Sequence, residues 1–365
     1  MTVNAYKYVS KLYGLTVHSY GVLQKRLLKS HAMPPLSARI LLTYRCNCTC
    51  HFCNAHFPGK EEMNVEDLDK ILKQIPAASS LTFSGGEITL LKDFLPMMKQ
   101  ATRRHNVQIV TSGSTLHNNK GMIKELIDYG VWVITFSIDV PNSIHDKLRG
   151  PSGLLERIIE AIKEIREIRK QKRLIKPLVH VNSVILKESL PFLPEMVKFC
   201  IETGVDYLSF GGLDSINFDE NDWNCFREKL PLAMDIAQKS RFPVTLTAEV
   251  RTAYDALNNA PKDRVSMSHF ACYAPWSVLI IEPDGMAHIC RDGVSHGMGV
   301  SYGKDTACLG MKEYGPSLGT LGNIKNTSLK ELWNSRTAQN WRKTIIGLKE
   351  LPPSCLSCCL ISRVK

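Results

Sequence analysis

Between residues 38 and 210 the chain alternates short runs rich in β-branched and aromatic residues with longer stretches of helical periodicity. Such alternation is typical of βαβ units, whose strands lie parallel in one sheet. The predicted strands are Ala38–Tyr44, Ser80–Ser84, Val107–Ser112, Val131–Ile138, Leu178–Ile185 and Asp206–Phe210. The predicted helices between them are Val65–Ile75, Phe94–Arg104, Lys120–Tyr129, Leu154–Lys170 and Pro191–Thr203. The sequence therefore predicts an α/β fold whose six parallel strands form a partial (β/α)6 barrel of the TIM type.

A cysteine-rich loop, RCNCTCHFCN over residues 45–54, follows the first predicted strand directly. Cys46, Cys50 and Cys53 make the pattern C-x3-C-x2-C, and the aromatic Phe52 precedes the last cysteine. Three thiolates this close together can ligate three irons of a cubane cluster. The fourth iron then has no protein ligand, so a small molecule can bind to it.

Zinc is the alternative ion for this loop. A structural zinc site needs a fourth ligand, which Cys48, His51 or His56 could supply. Zinc sites more often use paired C-x2-C knuckles, and the loop has one such pair. The spacing therefore favours the iron–sulfur cluster.

Glycine and polar residues follow the next predicted strands at their carboxyl ends, where parallel barrels have their active sites. Singly, each has a structural explanation as a glycine turn, a helix-terminal charge or a capping group. Together, beside the three cysteines, they predict one ligand-binding site. They are Gly85, Gly86 and Glu87 after the second strand, Ser112 at the third, and Ser137 and Asp139 at the fourth.

The chain is basic, with a formal net charge of +11 over 365 residues. This balance favours anionic partners, or it serves solubility alone. The densest basic run, Lys163–Lys176, lies at the end of a predicted helix, where cations complement the helix dipole. It lacks the interleaved aromatic residues of a single-strand binding surface, so no nucleic acid is expected as a partner.

The cysteine content and the lengths of the apolar runs indicate the cellular compartment of the protein. The 12 cysteines are too few for a small secreted disulfide scaffold, and no signal-peptide pattern begins at Met1. No run of 18 or more apolar residues occurs, so no membrane span is expected. Clustered thiols then indicate a reducing, cytoplasmic setting, where cysteines bind metal more often than they form disulfides.

Four segments are predicted along the chain: a helical extension over 1–35, the barrel over 36–212, a linking segment over 213–268 and a small C-terminal α+β domain over 269–365. Residues 1–33 have apolar side chains at loosely helical spacing and are interpreted as an extension that packs on the main domain. Docking to a membrane or a partner through these residues is the alternative. The linking segment is predicted to contain a helix, Asn221–Ser240, and a strand near Val244–Val250.

A second group of cysteines lies in the C-terminal segment. The predicted strands Ser277–Glu282 and Met286–Cys290, joined by the turn Pro283-Asp284-Gly285, make a hairpin that brings Cys272 towards Cys290. A C-x2-C pair, Cys355 and Cys358, follows much later. Two separated pairs can form a closed tetrahedral set. On these residues alone zinc is the natural ion.

The N-terminal loop, with an aromatic before its third cysteine, resembles the signature of the radical S-adenosylmethionine (SAM) superfamily. The stretch FSIDVPNSIHDKLRG over 136–150 is similar to the fourth-strand segment of members that carry a SPASM domain. The resemblance implies a [4Fe–4S] cluster on Cys46, Cys50 and Cys53, with SAM on its open iron. The residues implied to bind SAM are Gly85, Gly86 and Glu87 at its amino group, Ser137 near its ribose, Arg149 at its carboxylate, and Phe52, Ser112 and Asp139 in the same site.

The C-terminal cysteines resemble the beginning of a SPASM domain. Twelve residues separate Cys272 from Gly285, and four separate Gly285 from Cys290, as in that domain. The middle segment of the domain is matched by Gly322-Asn323, Leu329 and Trp333.

A full SPASM domain needs further cysteines after the C-x2-C pair, whereas Val364 stands at the matching position and the sequence ends at Lys365. The resemblance is therefore to the shorter "twitch" version, which implies one auxiliary [4Fe–4S] cluster on Cys272, Cys290, Cys355 and Cys358.

Two further cysteines leave alternatives open. Cys359 adjoins Cys358 and could replace it as the fourth ligand. Cys308 is a candidate catalytic hydrogen-atom donor, a candidate ligand, or a buried small hydrophobe.

The resemblance implies that SAM is cleaved reductively to a 5′-deoxyadenosyl radical that abstracts hydrogen from a substrate. A low-potential flavodoxin or ferredoxin is the expected electron donor, and the auxiliary cluster is expected to transfer electrons. The main hypothesis is oxidation or epimerisation of a small polar molecule such as a sugar or aminocyclitol, because the single-cluster tail resembles dehydrogenases of that sort.

Two alternatives remain. One is a radical SAM/SPASM maturase that modifies a peptide or protein, although residues 1–33 do not resemble the winged peptide-recognition domain of many such enzymes. The other is a non-catalytic zinc-binding protein.

Overall fold

The structure is a computed structural model that describes residues 19–53, 61–116, 121–213, 218–247, 250–251, 253–255, 270–290, 319–348 and 361–363. Its first strands are β1 (Ser37–Thr43), β2 (Ser80–Gly85), β3 (Val107–Thr111), β4 (Val133–Ser137), β5 (Leu178–Ile185) and β6 (Tyr207–Leu213). The helices that alternate with them are α1 (Val65–Gln74), α2 (Phe94–Ala101), α3 (Met122–Asp128), α4 (Ile144–Arg149), α5 (Leu154–Gln171) and α6 (Leu193–Thr203). All six predicted strands and five predicted helices are confirmed, and α4 is an additional short helix.

The strand pairings are those of an α/β fold. β1 pairs with β2 in parallel, β4 with β5, and β5 with β6. The linking segment supplies the predicted helix as α7 (Glu220–Lys239) and a short strand, β7 (Val244–Leu246), which pairs with β6 in parallel. Parallel strands with intervening helices confirm the predicted topology of a partial (β/α)6 barrel.

The chain divides into two units. The first unit contains residues 1–46, 53–108 and 266–365, and the second contains residues 47–52 and 109–265. This division by contacts does not follow the four predicted segments, because the C-terminal segment joins the first unit together with β1 and β2. The four segments themselves remain a prediction.

In the second unit the strand order is β3-β4-β5-β6-β7. Along β6 buried and half-buried residues alternate, with Leu208 and Phe210 buried. Helix α5 buries a row that includes Ile158, Ile162 and Ile165, because residues three and four apart share one helix face. These side chains belong to an apolar core that leaves the opposite sheet face to polar residues.

In the first unit the strand order is β11-β10-β9-β1-β2, where β9 is Val278–Ile281, β10 is Met286–His288 and β11 is Thr320–Asn323. The predicted hairpin is confirmed, since β9 and β10 pair antiparallel around Gly285, whose φ is +94°. An unpredicted feature is that β9 pairs with β1 in parallel, with Ile40 opposite Ile281.

Two helices and a small two-stranded sheet complete the described part of the first unit. Helix α8 (Leu329–Trp333) begins with a capping box in which Ser328 and Glu331 bond reciprocally, and α9 (Arg336–Gly347) follows it. A strand β8 (Phe270–Cys272) pairs antiparallel with β12 (Ile361–Arg363). Among the described residues, no helix combines the length and the apolar character needed to cross a bilayer.

The N-terminal extension is described from residue 19 onwards and is helical over 19–27. Gln24 donates to the carbonyl of Trp276 at 2.7 Å, and the Trp276 indole donates to the carbonyl of Lys29 at 2.6 Å. The Trp333 indole donates to the carbonyl of Met33 at 2.7 Å. This part of the extension therefore packs on the predicted C-terminal domain, whereas the sequence predicted packing on the main domain. The rest of the extension lies outside the described residues.

Candidate cluster and cofactor site

The glycine pair after β2 lies against the chain that leads into the cysteine loop. Gly86 donates its amide to the carbonyl of Thr43 at 2.7 Å, and Glu87 donates to the carbonyl of Arg45 at 2.9 Å. A Cβ on Gly85, whose φ is +136°, would lie 2.2 Å from the Thr43 oxygen, and one on Gly86 would lie 2.1 Å from the Arg45 oxygen. No side chain fits at either position, so both must be glycine.

Glu87 is buried at the start of a 3-10 turn, Ile88–Leu90. Its Oε1 accepts hydrogen bonds from the amide of Thr89 at 3.1 Å and from the Thr89 hydroxyl at 2.5 Å. The carboxylate therefore shapes the turn locally. Its support of the SAM amino group remains a prediction.

In the second unit, Arg149 holds the middle of the cysteine loop. Its carbonyl accepts the amide of Thr49 at 2.8 Å, and its Nη1 lies 3.9 Å from Cys50 Sγ, as a hydrogen-bond donor. Its guanidinium lies 5.5 Å from the centre of the Phe52 ring, a cation–π distance. A Cβ on Gly150 would lie 2.3 Å from the Thr49 hydroxyl. Backbone and side chain together dock this loop on the end of α4.

Asp139 binds Arg149 through both carboxylate oxygens. Arg149 Nε donates to Oδ2 at 2.8 Å, Nη2 donates to Oδ1 at 3.0 Å, and the amide of Val184 donates to Oδ1 at 3.1 Å. Burial opposes the charge of Arg149, but the charges of Asp139 and Cys50 raise its pKa above the usual value. Asp139 thus orients Arg149, and direct contact of Asp139 with SAM is left as a prediction.

His145 is a site residue that sequence reasoning missed. It is fully buried on α4, and its Nδ1 accepts the amide of Asp139 at 3.3 Å. Burial, assisted by the charge of Arg149, lowers its pKa to about 4. The imidazole is therefore neutral at pH 7 and contributes shape and a backbone contact instead of charge. His145 lies four residues before Arg149, on the same face of α4, a helix that was not predicted.

Ser112 at the end of β3 connects to the cysteine loop through a second serine. Ser112 Oγ donates to Ser114 Oγ at 3.1 Å, and Ser114 donates to the side-chain oxygen of Asn47 at 3.0 Å. Ser137 is half-buried at the end of β4 and pairs in register with Asn182 on β5. The strand-end serines of the second unit thus lie at the positions expected of them, and their roles towards SAM remain predictions.

A polar row crosses the sheet of the second unit further from the strand ends. Thr135 Oγ1 lies 3.1 Å from His180 Nδ1, His180 Nε2 lies 2.9 Å from Ser209 Oγ, and Ser209 Oγ lies 2.7 Å from Thr245 Oγ1. The His180 ring stacks on Tyr207 at 4.0 Å. Burial lowers the pKa of His180 to about 3, so the ring is neutral. The sequence reasoning missed this row, whose only signal was the polar residues that alternate along β5 and β6.

The cysteines of the N-terminal motif belong to different units: Cys46 and Cys53 to the first, Cys50 to the second. Among the described residues, no group of three or more His, Cys, Asp or Glu side chains is assembled for a metal ion. Three thiols in one short loop nevertheless have the donor chemistry that the predicted cluster needs.

In the C-terminal domain, Cys272 and Cys290 are half-buried. Cys272 lies opposite Ile361 in the β8–β12 pair. Cys290 lies against Gly319, on which a Cβ would be 2.5 Å from Cys290 Cβ. The predicted positions Cys308, Cys355, Cys358 and Cys359 are outside the described residues.

Parallel β/α units with a cysteine loop after the first strand and a glycine cradle after the second define a class of iron–sulfur proteins that bind a small cofactor at the strand ends. The model of the radical SAM superfamily matches residues 40–199, and the model of the SPASM iron–sulfur cluster-binding domain matches residues 272–359. The chain belongs to the radical SAM superfamily and carries a SPASM domain. The predicted resemblance is confirmed, together with the cofactors that it implies: a [4Fe–4S] cluster, SAM and auxiliary iron–sulfur binding.

Two curated relatives illustrate the range of similarity. The tungsten-containing aldehyde ferredoxin oxidoreductase cofactor-modifying protein of Pyrococcus furiosus is 24% identical over 332 residues, which are 87% of this chain and 86% of the relative. The sporulation killing factor maturation protein SkfB of Bacillus subtilis is 29% identical over 138 residues, 36% of this chain and 33% of the relative.

Among solved structures, Streptococcus suis SuiB bound to its precursor peptide SuiA has a TM-score of 0.63 and 19% identity. The similarity covers 92% of this chain and 72% of SuiB, and it shows the fold. Together these similarities favour the predicted alternative, a maturase, over the main hypothesis of a small polar substrate.

Proposed function

We propose that this radical SAM enzyme is a maturase that modifies a peptide or protein. The observation that carries the proposal is the similarity to curated proteins named for such work: SkfB, and the PqqA peptide cyclase of Bradyrhizobium diazoefficiens at 26% identity over 181 residues. The Pyrococcus furiosus relative, matched over most of its length, is also named for the modification of another protein's cofactor.

The predicted site residues have separate tasks in the proposed reaction. Cys46, Cys50 and Cys53 would hold the cluster, and the backbone of Gly85-Gly86 would face the SAM amino group, with Arg149 at the carboxylate. When bound, cluster and SAM supply a carbon radical that abstracts hydrogen from an unactivated C–H bond. The chain's own task is to fix the substrate carbon beside that radical and to keep water and other side chains away.

Asn182 is the residue that we assign to the peptide substrate. It lies near the carboxyl end of β5, where ligands bind in parallel sheets. Its side-chain oxygen occupies the space next to Gly211, where a Cβ would be 1.9 Å away. A primary amide offers one acceptor and a donor pair, which matches the carbonyl and N–H of a peptide group. Gly211 therefore lets the Asn182 amide lie across the end of β6.

The C-terminal cysteines would hold the auxiliary cluster. Cys272 and Cys290 lie in described strands, and the sequence places Cys358 three residues before Ile361, which pairs with Cys272. A four-cysteine cluster has no open position for substrate. It would accept an electron from the substrate radical or pass electrons to the SAM cluster, with a flavodoxin or ferredoxin as the external donor.

The test is transfer of deuterium into 5′-deoxyadenosine. The anaerobically reconstituted enzyme is incubated with SAM and dithionite, once with perdeuterated short peptides encoded beside its gene and once with perdeuterated sugars and aminocyclitols. Label from a peptide is expected. Label from the small molecules alone would overturn the proposal.

An Asn182→Leu variant sharpens the test. It is expected to lose at least tenfold of the peptide-dependent label while it still cleaves SAM without substrate, because the amide contacts the peptide and not SAM. Cys225→Ala, a change on the surface helix α7, is the control and is expected to behave as the unaltered enzyme.

A further inference from the structure

A buried carboxylate, that of Glu282, lies between two strands of the first unit. The Tyr44 hydroxyl donates to Glu282 Oε2 at 2.5 Å, and His288 Nε2 lies 2.9 Å from Glu282 Oε1. Tyr44 is 6% exposed, whereas Glu282 and His288 are each 1% exposed. One carboxylate therefore contacts the end of β1 through one oxygen and β10 through the other.

The surrounding chain holds this arrangement. β1 pairs with β9, and β9 pairs with β10 so that His288 is opposite Ile280. His288 Nδ1 lies 3.0 Å from the hydroxyl of Thr320 on β11. The His288 Nε2–H is not aligned for a linear hydrogen bond to Glu282, so this contact is a close polar one. The ring is thus held between β9 and β11.

The two partners of Glu282 each lie close in sequence to a cysteine that is predicted to bind a cluster. Tyr44 is two residues before Cys46, the first ligand of the SAM cluster, and His288 is two residues before Cys290, a ligand assigned to the auxiliary cluster. Glu282 is thereby joined to the two segments that enter the two cluster-binding loops. Both contacts lie within the first unit.

Burial of a carboxylate is energetically unfavourable, so packing alone does not explain why Glu282 lies here. Tyr44 belongs to an apolar cluster with Leu41 and Ile280, and such surroundings disfavour an ionised group unless it has polar partners. In a low-dielectric interior its negative charge acts over a longer range than in water. A cluster near it is harder to reduce, because burial and local charge are among the determinants of cluster potential.

We propose that Glu282 is a positioning residue shared by both cluster-binding segments, which holds them in register and makes the reduction potentials of both clusters more negative. The inference requires the two clusters and is independent of the substrate. Glu282 lies 238 positions from Tyr44 in the sequence, so the proposal gives a role in the reaction to a distant part of the chain.

The experiment compares two variants of the full chain, reconstituted anaerobically. Glu282→Gln removes the charge, whereas Tyr44→Phe loosens the same contact and keeps the charge. EPR-monitored redox titration measures the potentials of both clusters, and iron analysis measures their occupancy. No substrate is needed, so a failure of the peptide proposal leaves this test intact.

We expect Glu282→Gln to shift both potentials to less negative values, and Tyr44→Phe to leave them unchanged or more negative. Unchanged potentials in Glu282→Gln, or a shift of the same sign in both variants, would overturn the proposal. If Glu282→Gln takes up no iron, the double variant Tyr44→Phe/Glu282→Met replaces it. This variant removes the tyrosine hydroxyl together with its acceptor, so no hydroxyl is left unpaired.

If the double variant retains both clusters, it is expected to show the same less negative potentials. Loss of iron from both clusters with native circular dichroism would support the shared positioning. Global unfolding of the double variant would contradict it, because Glu282 would then be a residue of the core alone.

Discussion

Arg149 and Asp139 form a bidentate salt bridge in the interior of the second unit, with nitrogen–oxygen distances of 2.8 and 3.0 Å. The Asp139 side chain has no solvent exposure and that of Arg149 has 9%. The pair aims the remaining guanidinium nitrogen, Nη1, at Cys50. Two residues that the resemblance assigned to SAM thus form one buried pair that also contacts Cys50, a predicted cluster ligand.

The first prediction concerns this pair. Arg149→Met should lower the free energy of unfolding by about 3–5 kcal/mol, because it leaves the Asp139 carboxylate buried without its partner. Urea unfolding under anaerobic conditions measures the loss. Arg149→Lys, which keeps the charge but not the fork of donors, should lose less. A loss below about 1 kcal/mol in Arg149→Met would show that the pair is dispensable for the fold.

Gly86→Ala should reduce the iron that the N-terminal motif retains, because the new Cβ would lie 2.1 Å from the Arg45 carbonyl and push the cysteine loop away. Iron and sulfide analysis after reconstitution measures the effect. Gly347→Ala is the matched control, since nothing lies within 4 Å of a Cβ there. Equal iron in both variants would disprove the role of the glycine cradle.

Two adjacent glycines of β6 offer a matched pair. A Cβ on Gly211 would collide with the Asn182 amide at 1.9 Å, whereas one on Gly212 would meet Val184 at 3.7 Å, an ordinary contact. We therefore expect Gly211→Ala to lower substrate-dependent deuterium transfer at least tenfold and Gly212→Ala to lower it less than twofold. Similar losses in the two variants would mean that the position of the Asn182 amide is unimportant.

The cysteines are predicted to have different roles, and single alanine variants should distinguish these roles by their SAM cleavage and iron content. Cys50→Ala should abolish SAM cleavage, because an iron of the cluster loses its ligand, whereas Cys225→Ala should leave it intact. Cys355→Ala should lower the iron content and spare some uncoupled cleavage. Chromatography of 5′-deoxyadenosine with iron analysis measures both, and unchanged iron in Cys355→Ala would argue against the auxiliary cluster.

The buried histidine of the polar row predicts a dependence of stability on pH. Burial lowers the pKa of His180 to about 3, while the unfolded chain titrates near 6.5, so the unfolded state binds more protons between these values. Stability should therefore fall as pH decreases below about 6.5, by at most about 1.4 kcal/mol per pH unit from this residue. His180→Gln should show a flatter profile in urea unfolding between pH 5 and 7. Equal slopes of stability against pH in His180→Gln and the unaltered protein would show that another group causes the pH dependence.

The secondary structure was predictable because its signals are local. The six strands and the hairpin Val278–His288 follow from alternating apolar residues and from a turn at Gly285, features that lie within a few residues of one another. The short helix α4 was missed, since a six-residue segment has too few turns to show a helical period. With it His145 was missed as well.

The side-chain roles were less predictable. Sequence reasoning selected Asp139 and Arg149 separately as contacts of SAM, although the structure joins them to each other. Asn182 and Glu282 have no motif at all. Their significance depends on Gly211 and on Tyr44, partners that no pattern in the sequence connects to them.

The amino-acid sequence by itself determined the β/α alternation, the three-cysteine loop and the family, because each depends on spacing along the chain. Only the tertiary structure decided that β9 lies beside β1, that Asp139 orients Arg149, and that Glu282 contacts both Tyr44 and His288. The physical reason is that a buried charge is stable only with partners, and folding, not sequence proximity, selects those partners.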